Sequence, residues 1–240
     1  MKKVAALIPA RSGSKGIKNK NILSLSGHSL LEWSIRACQK SKLIEKIIVS
    51  TDSQEYADIA LQCGAEVPYL RPKDISGDSS SDYSFVKHFI DWLTNNNNYV
   101  DYIAHIRPTS PCRLPEVMDD AIYFFSNNKF TSLRSVEEMS ESSYKTFEIN
   151  KSNLLQPICN SEISADKINE PRQIFPKTYK ANGYIDILDV EFILKNKLLH
   201  GNVISPYITE KIIEVDDIDD FKYLEYFVNV NSVYKKTIFD

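Results

Sequence analysis

Four basic side chains, Arg11, Lys15, Lys18 and Lys20, fall in one short loop among Ser12, Gly13, Ser14 and Gly16. Small residues let backbone N–H groups approach an anion, and glycines without a Cβ tolerate unusual dihedrals. The cations then supply charge, so the chemistry predicted here is the binding of a polyphosphate. Two familiar phosphate loops are excluded. Gly16 is followed by Ile17, which breaks the Walker A pattern, and no G-x-G-x-x-G spacing occurs. Far along the chain, Glu214 and Asp216 sit two residues apart in Ile212-Ile213-Glu214-Val215-Asp216. That run reads as a strand, whose period of two puts both carboxylates on one face. Hard cations such as Mg²⁺ take carboxylate and phosphate oxygens, so the pair is a candidate metal site.

The elements that must position these groups follow from periodicity. Val4 to Ile8 is short, apolar and bounded by Pro9, which reads as a buried strand delivering the loop at its carboxyl end. Ser29-Leu30-Leu31-Glu32 reads as a capping box opening a helix to about Ser41. Lys46 to Ser50 is a second strand, and Asp52 or Ser53 caps a helix over Glu55–Cys63 ended by Gly64; Asp52 is assigned to the cap rather than to a ligand. Val67 to Leu70 reads as a third strand, leading through Arg71-Pro72 to the polar stretch Gly77-Asp78-Ser79-Ser80-Ser81-Asp82, a linker plus helix cap. A helix over Tyr83–Leu93 carries Phe85, Phe89 and Trp92 as core. Tyr102 to Ile106 is a strand in which His105 reads as a satisfied core histidine. A helix over Glu116–Asn127 and a strand over Thr131–Val136 follow.

Strands alternating with helices predict an α/β fold, a mostly parallel sheet covered by helices on both faces. In such sheets ligands bind at the carboxyl ends of strands, where the basic loop lies. The rhythm breaks at about 137–180. There a strand-like Tyr144–Ile149 is followed by irregular polar sequence, read as an insertion that reaches over the site or makes a dimer contact. A strand over Tyr184–Leu188, a short helix near Val190–Asn196 and a strand near Val203–Ile208 return the chain to the sheet. Asp217, Asp219 and Asp220 open the last helix, where acids suit the helix dipole; Phe221, Leu224 and Phe227 form its buried face.

Composition narrows the class. With 42% hydrophobic and 25% charged residues the 240-residue chain has ordinary globular material, expected as one domain with an insertion. A net charge of -3 argues against general nucleic-acid binding. Cys38, Cys63, Cys112 and Cys159 show no C-x-x-C spacing, which predicts neither zinc nor a disulfide framework and suits a reducing cytosol. No apolar run reaches membrane-span length, and the N-terminal apolar segment is too short for a secretory signal. The expectation is a soluble cytoplasmic protein.

With these residues placed, the chain resembles the acylneuraminate cytidylyltransferases (CMP-sialic acid synthetases) and relatives acting on other nine-carbon acidic sugars. The resemblance is carried by Ile8-Pro9-Ala10-Arg11-Ser12-Gly13-Ser14-Lys15-Gly16 through Lys20-Asn21, by Ser50-Thr51-Asp52, Leu70-Arg71-Pro72 and Pro108-Thr109-Ser110-Pro111, and by Pro171-Arg172-Gln173, Asn182-Gly183 and the Glu214/Asp216 pair. It implies a Rossmann-like nucleotidyltransferase with CTP and an acidic sugar as partners, Mg²⁺ as cofactor, and a homodimer built through the insertion. By matching positions, Arg11, Gly13, Ser14, Lys15, Lys20, Asn21, Arg71 and Ser80 would bind the nucleotide. Arg107, Lys145, Arg172, Gln173 and Asn182 would bind the sugar, and Asp216 with Glu214 the metal. Arg11, Lys20 and Arg172 would be catalytic.

Two positions depart from the family pattern. Arg107 stands where the sialic acid enzymes have glutamine, and Glu214 replaces an aspartate. A charged bidentate donor suits carboxylate or phosphate. Within the expected class, sialic acid or a related nonulosonic acid, the departure therefore points away from ordinary sialic acid to another nonulosonic acid or to a phosphorylated sugar taking a different nucleotide. Two alternatives stay open: a nucleotidyltransferase using GTP, UTP or TTP with a sugar 1-phosphate, and a non-catalytic nucleotide-binding regulatory module.

Overall fold

A computed structural model describes residues 2–158 and 165–240. In chain order the strands and α-helices are β1 (Val4–Pro9), β2 (Ser24–Leu25), β3 (His28–Ser29), α1 (Leu30–Lys40), β4 (Lys46–Ser50), α2 (Gln54–Gln62), α3 (Asp82–Asn95), β5 (Tyr102–His105), α4 (Pro115–Ser126) and β6 (Ser132–Glu138). The insertion carries β7 (Phe147–Ile149), β8 (Leu155–Pro157) and α5 (Ala165–Ile168). The chain then forms β9 (Tyr179–Asp189), α6 (Val190–Asn196), β10 (Ile204–Ile208), α7 (Ile218–Val230) and α8 (Val233–Phe239).

Six strands form the main sheet in the order β10-β6-β9-β5-β1-β4. β1 pairs in parallel with β4 on one side and β5 on the other. Val4 to Ile8 are all buried, so both faces of the strand are covered, which is why the segment reads as an unbroken apolar run. Its alternation sorts the two cores. Val4, Ala6 and Ile8 pack in the cluster that holds Leu31, Ile35, Met118 and Phe125, whereas Ala5 and Leu7 pack with Phe85 and Phe89 of α3. The mostly parallel expectation holds with one exception. β9 runs antiparallel between β5 and β6, because the chain re-enters the sheet from the insertion at the opposite end.

Several local expectations change. Val67–Leu70 is not a strand, since only Glu66 and Leu70 bridge to Ile48 and Thr51 at the sheet edge. Ile212–Asp216 is extended but belongs to no strand, because its Val215 N–H donates to the Thr109 carbonyl of a loop. Val215 is nonetheless buried between the more exposed Glu214 and Asp216, so the alternation survives. Ser29 caps α1 through the Glu32 N–H, but the Glu32 carboxylate turns to His28 and Arg36. Ser53, not Asp52, caps α2. Val228, fully inside, joins Phe221 and Leu224 on α7, while Phe227 is only partly covered; α8 was not legible. Asp217 and Asp220 form a reciprocal capping box at α7.

His105 is buried as expected but not satisfied: neither ring nitrogen has a hydrogen-bond partner among the described residues. Cys38, Cys63 and Cys112 are free and buried; Cys159 lies outside the described residues. In the insertion, Tyr144–Ile149 resolves into a turn of 3-10 helix at Ser143–Lys145 and the β7–β8 hairpin. Among the described residues no helix is long and apolar enough to cross a membrane.

Candidate active site

The chain leaves β1 for β4 on one side and later places β5 on the other. The loops after β1 and β5 therefore diverge and leave a crevice at the strand ends. A cleft of about 460 Å³ opens there. Arg11, Ser14, Lys15, Gly16, Lys20 and Asn21 line it from the loop after β1, Arg71 and Ser80 from the edge, Arg107 to Thr109 from the loop after β5, and Asp216 from the carboxylate segment. Of the expected nucleotide residues only Gly13 is absent from this lining.

The glycines act differently from the expectation. Neither Gly13 nor Gly16 has a positive φ; the left-handed residue of the loop is Asn19, at φ 56°. A Cβ on Gly13 would meet open space, but one on Gly16 would lie 2.4 Å from the Asp216 carbonyl oxygen. Gly16 is needed because the basic loop seats directly on the carboxylate segment. Two braces hold that loop. Asp52 accepts the Ser12 N–H at 2.8 Å and its hydroxyl at 3.1 Å, and Asn21 donates to the Arg11 carbonyl at 3.0 Å. Asp52 is thus a loop brace, a role its position beside a helix start concealed.

Every loop cation lining the cleft already has an anionic partner. Arg11 and Lys15 share Asp78, at 2.6 and 2.8 Å. Hydrogen bonds from Lys15 and then Arg11 hold Asp78 below the usual carboxylate range. Lys20 donates to the Val215 carbonyl at 2.8 Å and to Asp216 at 3.2 Å. Arg71 is almost fully buried, lies over the Phe85 ring and donates to Ser50; burial brings its pKa down to about 10.

Glu214 borders a second cleft of about 340 Å³ with Asn182, Glu137 and Lys180, and Asp216 borders both clefts. Burial and then the Asp216 charge push the Glu214 pKa up, against the opposing effects of Arg107, a hydrogen bond from Thr109 and Lys20. The two carboxylates are therefore electrostatic neighbours. No group of three or more His, Cys, Asp or Glu side chains with metal-holding geometry occurs among the described residues. Two carboxylates still fit Mg²⁺, which is commonly held by one or two of them together with substrate phosphates and water.

The expected sugar residues divide. Arg107 is in the main cleft, and Asn182 is in the second, where its amide donates to Thr209 and Glu137 and accepts from Tyr184. Arg172 and Gln173 line a separate pocket on the insertion with Met139 and Phe175. There Arg172 donates to the Ser140 carbonyl, and Lys145 to the Glu170 carbonyl. Within one chain these three do not join the cleft.

Four structural players escaped the sequence reading. Asp78 and Asp82 lay in what read as a linker and cap. Asp186 carried a usable signal, a charge inside the apolar run Tyr184–Leu188 that needs a partner. Arg113 is fully buried and donates to the carbonyls of Tyr184, Arg107 and Gly183 and to the Ser34 hydroxyl, tying the loop after β5 to β9. Nothing in its sequence context marks it.

Comparison with known proteins shows the family. Residues 5–227 match the cytidylyltransferase family model. The CMP-N,N'-diacetyllegionaminic acid synthase of Legionella pneumophila is 33% identical over 221 residues, covering 90% of this chain and 91% of that protein. The N-acylneuraminate cytidylyltransferase of Escherichia coli O18:K1:H7 is 32% identical over 223 residues, covering 92% of this chain but 51% of that protein. This chain thus spans about half the length of the E. coli relative. In fold, a CMP:2-keto-3-deoxy-manno-octonic acid synthetase solved with CTP superposes with a TM-score of 0.69 at 13% identity, covering 95% of this chain and 99% of that one. A basic loop at the switch point, a carboxylate segment against it and a match over nearly the whole chain lead to one conclusion: the chain belongs to the cytidylyltransferase family.

Proposed function

We propose that the protein transfers the cytidylyl group of CTP to a nonulosonic acid, giving the CMP-sugar and pyrophosphate. The observation that carries this reading is the convergence of Arg11, Lys15 and Lys20 with Asp216 in one cleft. In this reaction an oxygen of the sugar forms a bond to the α-phosphorus as the bond to the β-phosphate bridge breaks. Phosphoryl transfer needs positioning and charge neutralisation more than covalent help from the protein. The triphosphate replaces Asp78 on Arg11 and Lys15, and Lys20 steadies charge at the transferring phosphate. Arg71, Ser80, Ser14 and Asn21 border the nucleotide. Glu214 and Asp216 would hold Mg²⁺, which when bound withdraws charge from the phosphate oxygens.

Residues 1–240 act in this reading as one nucleotidyltransferase domain with an insertion at about 137–180, working as a cytoplasmic homodimer. Exposed Phe147, Ile149, Leu154 and Leu155 on the insertion favour a second copy there. A dimer would also give Lys145, Arg172 and Gln173 a route to a cleft they do not line in their own chain. The nonulosonic acids named for the relatives supply the acceptor class. The sugar 1-phosphate alternative rests on Arg107, whose guanidinium is paired with Asp82 and Asp186.

Pyrophosphate release, measured over a matrix of CTP, GTP, UTP and TTP against nonulosonic acids and sugar 1-phosphates with Mg²⁺, tests the reading. Turnover confined to CTP and a nonulosonic acid is expected. CTP binding without turnover on any acceptor would favour a regulatory module instead.

A further inference from the structure

Arg107 lines the cleft from the loop after β5, and its surroundings differ from those of the loop cations. Its guanidinium donates through Nη1 to Asp186 at 3.0 Å and through Nη2 to Asp82 at 2.9 Å. Asp186 is fully buried, while the Asp82 side chain, on the first residue of α3, is 43% exposed and borders the cleft. Behind Asp186, Arg134 of β6 approaches its other oxygen at 3.5 Å, an ion pair without hydrogen-bond alignment. Burial alone would lower the Arg107 pKa, but Asp186 and Asp82 outweigh it and the pKa is raised. His105, 4.0 Å from Asp186, is held neutral by burial and then by the neighbouring positive charges, beginning with Arg107.

Charges therefore alternate from the sheet to the cleft: Arg134, Asp186, Arg107, Asp82. They sum to zero, so Arg107 reaches the cleft as a fixed set of N–H donors with no surplus charge. Gly183, at φ +67°, lies between these groups: a Cβ there would press on Ser110 Oγ at 3.1 Å and touch Arg107 Cδ at 3.5 Å and Glu214 Oε1 at 3.6 Å. Arg107 thus lines the cleft on the side where Gly183 and Glu214 meet it.

We propose that Asp186 is a positioning residue for acceptor specificity, clamping Arg107 so that it reads an uncharged acceptor group of the sugar, a hydroxyl or amide carbonyl. The sugar's carboxylate is then recognised elsewhere. This rests on the cytidylyltransferase reading above and deepens it. The physical warrant is that a buried carboxylate cannot swing away to water, so its cation keeps one geometry. An anionic group at this spot would have to displace Asp82 and would face Asp186 behind it.

The test has two parts. In ¹⁵N-arginine-labelled protein, Arg107 Nη resonances assigned through Arg107→Gln should show restricted guanidinium rotation, lost in Asp186→Asn. This readout needs no turnover. In steady-state assays with CTP and N,N'-diacetyllegionaminic or N-acetylneuraminic acid, Asp186→Asn should raise the KM for the sugar about tenfold, with the KM for CTP within about twofold. Adding it to Arg107→Gln should change little further, because residues acting through one another are not additive. If Asp186→Asn does not fold, Asp82→Asn should raise the sugar KM about threefold with the same split. A freely rotating Arg107 in the wild type would overturn the proposal, as would equal changes in both KM values or additive effects in the double variant. Absence of wild-type turnover on every nonulosonic acid would remove the functional reading, while the resonance measurement still decides the clamp.

Discussion

The cleft holds its cations in two ways. Arg11 and Lys15 meet an Asp78 that is itself 39% exposed, on a loop, whereas Arg107 meets Asp186, which has no exposure and sits in the middle of the sheet. Ion pairs in water contribute little and exchange readily, while a buried pair is costly to break because the remaining charge has no solvent. The first arrangement suits a cation that must give up its partner when a triphosphate arrives. The second suits a cation that must not move. One cleft thus pairs some of its cations with a half-exposed carboxylate and another with a buried one, and the difference lies in burial rather than in residue type.

The largest predicted effect falls on Lys20, the loop cation held by the carboxylate segment rather than by Asp78. Lys20→Ala should lower kcat/KM on the order of 10² to 10³-fold in a pyrophosphate-release assay, as removal of one charge stabiliser does elsewhere. A loss under threefold would move charge stabilisation to Arg11 or Lys15. Gly16→Ala should follow at about 100-fold, because the added Cβ pushes the loop off the Asp216 carbonyl and displaces the cations by a fraction of an ångström or more. Near-normal activity in that variant would mean the loop and the carboxylate segment need not touch.

A third variant sets stability against function at the acidic pair. The folded-state pKa of Glu214 is raised, so between the unfolded value near 4.5 and the folded value the folded state binds more protons. Stability is then lost as pH rises through that window. Glu214→Gln should raise Tm at neutral pH by a few degrees while weakening the Mg²⁺ response of turnover, because metal ligation needs the carboxylate. A fall in Tm would show that the Thr109 hydrogen bond and nearby cations outweigh the cost of the charge.

The smallest effect is expected at Asp78. Removing its charge frees Arg11 and Lys15, so Asp78→Asn should lower the KM for CTP about two- to fivefold, more at low salt than at high. A raised KM would mean that Asp78 orients the cations rather than occupying the phosphate position, and the contrast with Asp186 would narrow.

How much was legible depended on distance along the chain. β1, α1, β4, α3, β5, α4 and α6 could be read within a residue or three because each carries its own periodicity and, for α1, its own cap. Val67–Leu70 and Ile212–Asp216 were misread as strands, since an apolar extended run looks the same whether or not a partner strand exists. β9 could be seen as a strand but not as the antiparallel one, because strand direction is set by where the insertion returns the chain. Among the site residues, the loop from Arg11 to Asn21 announced itself through local density of charge. Asp82 and Asp186 did not, since their partner Arg107 lies 25 and 79 residues away.

By itself the sequence determined the α/β architecture, the density of basic side chains in the first loop and the presence of a carboxylate pair. These rest on composition and spacing within a few residues, where side-chain chemistry speaks without a fold. Tertiary structure alone decided which charges are free. Arg107 looks in the sequence like a cation offered to an anionic substrate, and folding surrounds it with Asp82 and Asp186. It decided as well that Lys145, Arg172 and Gln173 stand apart from the cleft of their own chain. The reason is physical: a charge acts through its distance to other charges and its access to water, and both are properties of the folded chain.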